Sequence, residues 1–394
     1  NLLCYVIITS RALLLCQRRD QFYANRKRTV IETLLETFEQ IESLLIKEKN
    51  ESATSMPYAQ KAQCYWKWRK RINQMLEKMR LHIMSSKRFR ELQRYFSRDP
   101  YALISSSQLL KAIIRSPERF EAIYSLLQDV ESKETFKWFI KYRVAYACIG
   151  NRASMLYPPP IDFYLWERYL KDIEAVKVGK DLYKIGPYVI RCTDPSALLS
   201  SWSEEAYKLN GICEPKKGDW IIDGGAFQGD TTLWFSDLVG LEGKVYAFEP
   251  FNKNYNMLVE NTEKNGLKNV ITIPKALYKE SKIYSMIGEG QGAALIENAS
   301  GAIEATTIDE FTQSQGCLRI DFIKMDIEGA EAPALEGAAD TIKKFLPRLA
   351  ISVYHNGSDI VTIPELIKSI EPSYRLYLRH RSNSWVDTIL YAVP

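Results

Sequence analysis

Asp326 and Glu328 stand two residues apart in the stretch FIKMDIEGAEAPALEGA, with Glu331 close behind, directly after a segment that reads as a buried strand, Phe322–Met325. Carboxylates at the carboxyl end of a strand in an open α/β sheet face the crevice where such sheets bind ligands. Three of them add little to a nicotinamide site, whereas they favour a positive sulfonium. His355 closes a further strand in RLAISVYH, just before Asn356 and Gly357, so it is expected at the same ligand edge. With an ordinary pKa near 6.5 it suits the role of accepting a proton from a hydroxyl. The bland alternative is a loop histidine bonded to backbone. For Glu331 the preferred reading is a helix N-terminal acid stabilised by the helix dipole.

A second stretch, GDWIIDGGAFQGDTTLWFSDL, reads as strand, glycine turn and helix. Trp220–Ile222 are apolar, Asp223 ends the strand, Gly224, Gly225 and Gly229 make the turn, and Asp230 or Thr231 is placed to cap the following helix. Such a turn lets backbone approach a ligand and aims free N–H groups at an anion, either a pyrophosphate or a methionyl carboxylate. The glycine spacing alone suits a dinucleotide almost as well. A third stretch, KVYAFEP, is a strand over Lys244–Phe248 ending in Glu249, 26 residues beyond Asp223. An acid there can take both ribose hydroxyls, which identifies a nucleoside without choosing the chemistry.

These residues need a sheet to position them, and the glycines show where it lies. None of the 19 glycines precedes Gly150. An all-helical front and an α/β back follow from that division. Charge divides the chain the same way: residues 1–150 hold 27 Lys and Arg against 15 Asp and Glu, a balance of +12, while the whole chain is +5, leaving −7 for the rest. Ile31, Leu34, Leu35, Phe38, Ile41, Leu44 and Leu45 recur at helical spacing, opposite Glu32, Glu36, Glu39 and Ser43. From Lys61 to Phe96 aromatic and basic residues alternate. That face could meet an anionic partner, although a solvated helix face is the simpler reading. YPPPID, at Tyr157–Asp162, reads as an extended linker. The expected organisation is a helical domain over 1–156, a linker with a lead-in strand pair and a helix SALLSSWSEEAYKL over 157–215, and the α/β domain over 216–394.

Composition narrows the class. A hydrophobic share of 46% with 26% charged residues is that of a globular protein, so disorder and a multispanning membrane protein are excluded as readings. Seven scattered cysteines without CxxC spacing read as reduced, hence cytoplasmic. Three histidines and no Cys/His cluster make a structural metal an unexpected feature. The opening NLLCYVIITSRALLLC is broken by Arg11 and shorter than the roughly 20 apolar residues a bilayer takes, so it reads as a buried helix.

Taken in order, IIDGGAFQGDT, VYAFEPFNKN, PKALYKE, TTIDEF, FIKMDIEGAEAPALEGA and SVYH with IPELI resemble the FkbM-type methyltransferase family. The likeness covers nearly all of the chain after Lys217. It implies a class I methyltransferase fold, a Rossmann-like sheet of about seven strands, mostly parallel, with helices on both faces. YRLYLRH and DTILYAV supply its antiparallel final hairpin. S-adenosylmethionine is the implied cofactor and O-methylation of a sugar, glycan or related natural-product hydroxyl the implied reaction. Carried over by position, Asp223, Gly224, Gly225, Ala226 and Gly229 hold the methionyl part, Glu249 the ribose, and Ala276 and Leu277 the adenine edge, with Asp230 counted among the cofactor-binding residues. Asp326 then stands at the transferred methyl. Gly224 stands where many members carry a branched residue, which should only loosen the turn.

The proton of the acceptor hydroxyl is then expected to go to His355 or Asp326, with Glu328 orienting the acceptor. Asp326 with Glu328 holding a divalent ion is the alternative. Rival readings are a non-catalytic protein whose basic front binds nucleic acid or anionic membrane, an RNA methyltransferase and, last, a dehydrogenase. A nucleic-acid partner is not expected, because no dedicated RNA-binding motif is present, and peripheral membrane contact through the basic helices stays open.

Overall fold

The computed structural model describes residues 30, 32–34, 36–41, 43, 99–161, 163–287, 294–296 and 303–394. The basic stretch Lys61–Phe96, His82, Ile31, Leu35, Leu44 and Leu45 lie outside the described residues. The chain divides into two compact units, one holding residues up to Leu110 with Phe139–Pro158, the other Lys111–Trp138 with Pro159–Pro394.

In the first unit Val30, Leu34, Phe38 and Ile41 are buried on one helical face while Glu32, Glu36, Glu39 and Ser43 are exposed, as the spacing requires. Along the chain helices Pro100–Arg115 (α1), Pro117–Leu126 (α2) and Val130–Ile149 (α3) come next, α2 lying wholly in the second unit. The Tyr146 hydroxyl donates to Asn151 Oδ1 at 2.6 Å and accepts the Asp99 N–H at 3.0 Å.

The sequence placed all of 1–156 in one helical domain, yet Lys111–Trp138 belongs to the second unit. Polar side chains hold it there. Arg119 Nε donates to Glu365 at 2.9 Å, Arg379 Nη2 lies 2.7 Å from Asp129 Oδ2, and the Leu378 N–H donates to Ser132 Oγ at 2.9 Å. Periodicity marks a helix but carries no address for the element it packs on.

The second unit continues with helix Phe163–Ala175 (α4) and an antiparallel three-stranded sheet, Lys177–Gly179 (β1), Leu182–Ile185 (β2) and Tyr188–Arg191 (β3). The helix expected over SALLSSWSEEAYKL is shorter: Pro195–Leu198 is α-helical, Leu199–Ser203 widens into a π turn, and Glu205 at φ +48° stops it. That break turns Tyr207 toward the central sheet.

The central sheet is built from Trp220–Gly224 (β4), helix Asp230–Val239 (α5), Lys244–Phe248 (β5), helix Asn252–Lys264 (α6) and Val270–Ile273 (β6). A smaller sheet, not foreseen in the sequence, holds Ala276–Leu277 (β7), Ile283–Ile287 (β8), Ala294–Ile296 (β9) and Ile303–Thr306 (β10). After helix Ile308–Ser314 (α7) the chain returns to the large sheet as Phe322–Met325 (β11), followed by helix Glu331–Glu336 (α8). Arg348–Ser352 (β12), helix Asp359–Ile370 (α9), Arg375–His380 (β13) and Thr388–Val393 (β14) complete it.

The strand order is β13-β14-β12-β11-β4-β5-β6. Five strands, β12 to β6, run parallel, and β14 pairs antiparallel with both β12 and β13. This is the class I methyltransferase sheet, with its antiparallel final hairpin. The switch point lies between β4 and β11, where ligands bind in open α/β sheets. Ile221, Ile222, Val245, Phe322, Ile323, Leu349 and Ala350 are buried across the parallel strands, as both covered faces demand. Among the described residues no helix is long and apolar enough to cross a membrane.

Candidate active site

The glycine turn after β4 is shaped by a close backbone approach. Gly225 takes φ +79°, and a Cβ there would lie 1.9 Å from the Asp326 carbonyl oxygen. A Cβ at Gly224 would meet Leu277 Cδ1 at 2.9 Å and the Lys324 carbonyl at 3.2 Å. Gly224 is therefore fitted to Leu277, and not merely a looser substitute for a branched residue. The expected free N–H groups are taken: Gly225 and Ala226 donate to the Phe248 carbonyl at 3.0 and 2.9 Å, Gly229 to Ala226 at 2.8 Å, and Phe227 to Glu249 Oε2 at 3.0 Å.

Neither Asp230 nor Thr231 caps α5; Gly229, at φ +94°, is the N-cap and no side chain caps it. Thr231 and Thr232 both donate to Asp223 Oδ2, at 2.8 and 2.7 Å. Asp223 Oδ1 lies 3.0 Å from Lys324 Nζ, which also donates to the carbonyls of Gly224 and Gly225 at 3.1 and 2.8 Å. Both side chains are fully buried. The Asp223 carboxylate thus braces the turn from inside. Lys324 escaped the sequence reading because a lysine inside an apolar strand gives no local sign of its partner.

Glu249 ends β5 as expected but is buried, its Oε2 accepting from Phe227 and its Oε1 from the Phe251 N–H at 2.9 Å. Burial pushes its carboxyl up to about 7, against those two hydrogen bonds. Ala276 and Leu277 are buried in β7, beside the turn through Leu277.

Across the switch point the sequence-predicted Asp326, Glu328 and His355 come together. His355 Nε2 lies 3.5 Å from Asp326 Oδ1 and 3.5 Å from Glu328 Oε2, while Nδ1 lies 2.9 Å from Glu331 Oε1. Glu331 is a helix N-terminal acid, since Oε1 also accepts the Ile327 N–H at 2.8 Å, but it is fully buried and faces the imidazole as well. Glu328 adopts φ +58°, in the left-handed region that a non-glycine residue rarely visits.

Two tyrosines not among the sequence-predicted site residues hold Asp326. Tyr207 donates to Oδ2 at 2.7 Å and Tyr354 to Oδ1 at 3.0 Å. Burial alone would raise the Asp326 carboxyl, but His355 and Lys324 hold it below the ordinary range. Burial likewise lowers His355, and the carboxylates of Glu331, Asp326 and Glu328 override it and push it up to about 10. These neighbouring carboxylates thus favour the protonated imidazole.

Residues 223–378, which include this whole cluster apart from Tyr207, match the sequence model described as Methyltransferase FkbM domain. This part of the chain is an FkbM methyltransferase domain. Its cofactor is S-adenosylmethionine. The chain is similar to a solved Methyltransferase FkbM from Methylobacillus flagellatus KT, at 21% identity over 72% of this chain and 60% of that one, with a TM-score of 0.47. It thus spans less than two thirds of that structure's length. It also resembles Aeropyrum pernix fibrillarin in complex with S-adenosyl-L-methionine, at 17% identity over 48% of this chain and 74% of that one, with a TM-score of 0.32. A SAM dependent methyltransferase from Aquifex aeolicus matches at 19% over 50% of this chain and 97% of that one, with a TM-score of 0.30.

The cleft of the FkbM domain fits such a cofactor. Asp230 Oδ1, at the start of α5, is a buried carboxylate oxygen with no hydrogen-bond partner, while Ser201 donates to Oδ2 at 2.7 Å. Burial pushes this carboxyl up to about 6. An ammonium donor, such as the methionyl amine carries, would satisfy it. Glu249 stands at the strand end where a ribose diol is taken. Beyond the FkbM match, the loop between β13 and β14 adds Asp387, at φ +63°, which burial and the nearby Asp326 push up to about 7. Tyr207 and Asp387 flank the matched residues on either side, and no motif marks them.

Proposed function

We propose that the chain is an S-adenosylmethionine-dependent O-methyltransferase acting on a hydroxyl of a sugar, glycan or related natural-product acceptor. The observation that carries this reading is the Asp326 carboxylate, fixed by the hydroxyls of Tyr207 and Tyr354 with His355 and Glu328 beside it at the switch point. A polar wall of carboxylates and phenols offers acceptors and donors to a polyol.

Bound S-adenosylmethionine supplies an electrophilic methyl, whose transfer forms an O–C bond as the C–S bond breaks. The remaining work falls to the chain. Glu249 takes the ribose hydroxyls, Asp230 the methionyl amine, and the turn Gly224–Gly229 with Ala226 and the β7 pair Ala276 and Leu277 encloses the rest. Asp326 and Glu328 receive the acceptor hydroxyl and its proton, with the His355 ring between the two carboxylates. Alignment within about 3 to 3.5 Å contributes most of the acceleration.

The test is transfer of labelled methyl from S-adenosylmethionine to a panel of sugars and glycans, with the site of the label read by NMR. Label on an oxygen supports the proposal. Label on nitrogen or carbon, or no calorimetric binding of the cofactor, overturns it.

A further inference from the structure

We propose that Asp326, Glu328 and His355 form a site for one divalent transition-metal ion, with Glu331 orienting the imidazole and one position left open to the acceptor oxygen. Resting on the O-methyltransferase reading, this deepens it by naming what activates the hydroxyl.

Donor geometry is the first support. Asp326, Glu331 and His355 each offer a ligand atom, all within 4.8 Å of one another, and Glu328 adds a further oxygen 3.5 Å from His355 Nε2. The two Nε2 to carboxylate distances are both 3.5 Å, too long for hydrogen bonds. Ligands about 2.1 Å from a tetrahedral ion stand about 3.4 Å apart, close to these two nitrogen-to-oxygen distances.

His355 itself is the second, independent observation. Its side chain is 6% exposed, and Nε2 is buried without a hydrogen-bond partner while aimed at those two oxygens. On the other side of the ring the fully buried Glu331, fixed by the Ile327 N–H, places Oε1 2.9 Å from Nδ1. A carboxylate on the far nitrogen is the arrangement that orients a metal-bound histidine and sets its tautomer.

Chemistry and access agree. Three carboxylates surround one imidazole, a surplus of negative charge that a single proton does not offset. The imidazole favours zinc, iron or a similar ion over magnesium or calcium, which take oxygen ligands. The Glu328 side chain is 36% exposed, so the cluster opens outward on that side. Three protein ligands and one open position are the pattern of a catalytic metal. An ion there would acidify the acceptor hydroxyl, which the weakly basic Asp326 alone does poorly.

The experiment uses the full chain, treated with chelator and then titrated calorimetrically with Zn2+, and separately with Mg2+. One Zn2+ per chain is expected, with affinity falling about tenfold or more in His355→Ala and in Glu328→Gln, and about tenfold in Glu331→Gln. S-adenosylmethionine binding, measured on each protein, reports folding independently. Zn2+ uptake equal in wild type and Glu328→Gln, uptake of Mg2+ alone, or no uptake overturns the site. Zn2+ binding without methylation of any hydroxyl overturns the acceptor reading and leaves the ion site standing; full turnover in chelator does the reverse.

Discussion

The Tyr207 hydroxyl donates to Asp326 Oδ2 across 2.7 Å, joining residues 119 positions apart in the chain. Tyr207 is buried in the lead-in segment ahead of the FkbM match, so the Asp326 carboxylate is held from outside the matched domain. Replacing it with Phe leaves a buried carboxylate oxygen short of a donor, at a cost of about 1–3 kcal/mol. Tyr207→Phe is expected to lower the unfolding free energy measured in urea by that amount and to lower acceptor turnover, with cofactor affinity retained. Unchanged turnover would mean that Tyr207 only packs.

Lys324 and Asp223 form a buried ion pair beneath the glycine turn. Lys324→Met strands the Asp223 charge, and losing one partner of such a pair costs about 3–5 kcal/mol. The double variant Lys324→Met/Asp223→Asn should recover part of that loss. Thermal unfolding of the three proteins decides it: additive losses would show that the pair is not coupled.

Glu249 carries a pH signature. Its carboxyl is pushed up to about 7 in the folded chain, against an ordinary glutamate near 4.3. Between those values the folded state binds more protons than the unfolded, so its contribution to stability is full below about 4.3 and is lost as pH rises through about 7. Cofactor affinity runs the other way, because the ribose hydroxyls need the carboxylate. Calorimetry at pH 6 and pH 8 should show tighter binding at the higher pH in wild type and no such gain from this group in Glu249→Gln.

The two adjacent glycines should differ in cost. A Cβ at Gly225 would collide with backbone, whereas at Gly224 it meets the end of the Leu277 side chain first. Gly225→Ala is expected to abolish cofactor binding through displacement of the loop after β11. Gly224→Ala should cost about 1–3 kcal/mol, as overpacking does, and Leu277→Ala should relieve it in the double variant. Equal losses at both positions would show that the approach of the two loops is not what requires glycine.

Much of the frame was legible along the chain. The strands at Lys244–Phe248 and Phe322–Met325 lie at the predicted bounds, and Asp326 and His355 reach the ligand edge because strand ends and glycine turns are local features. The helix through Tyr207 was overextended, since Ala, Leu and Glu favour helix and nothing nearby announces the left-handed Glu205. The docking of Lys111–Trp138 was also missed, because an amphipathic face is written in the sequence but its partner is not.

The order of residues alone thus determined the sheet, the turn after β4 and the acids at the strand ends, through short-range periodicity and turn chemistry. Only the tertiary structure decided what state those groups are in. His355 is pushed toward its protonated form because three carboxylates from the loop after β11 and the start of α8 surround it, Asp223 braces the turn because Lys324 reaches it from the next strand, and Gly225 is required because another loop's carbonyl lies against it. Charge state and steric fit depend on burial and on neighbours brought together in space.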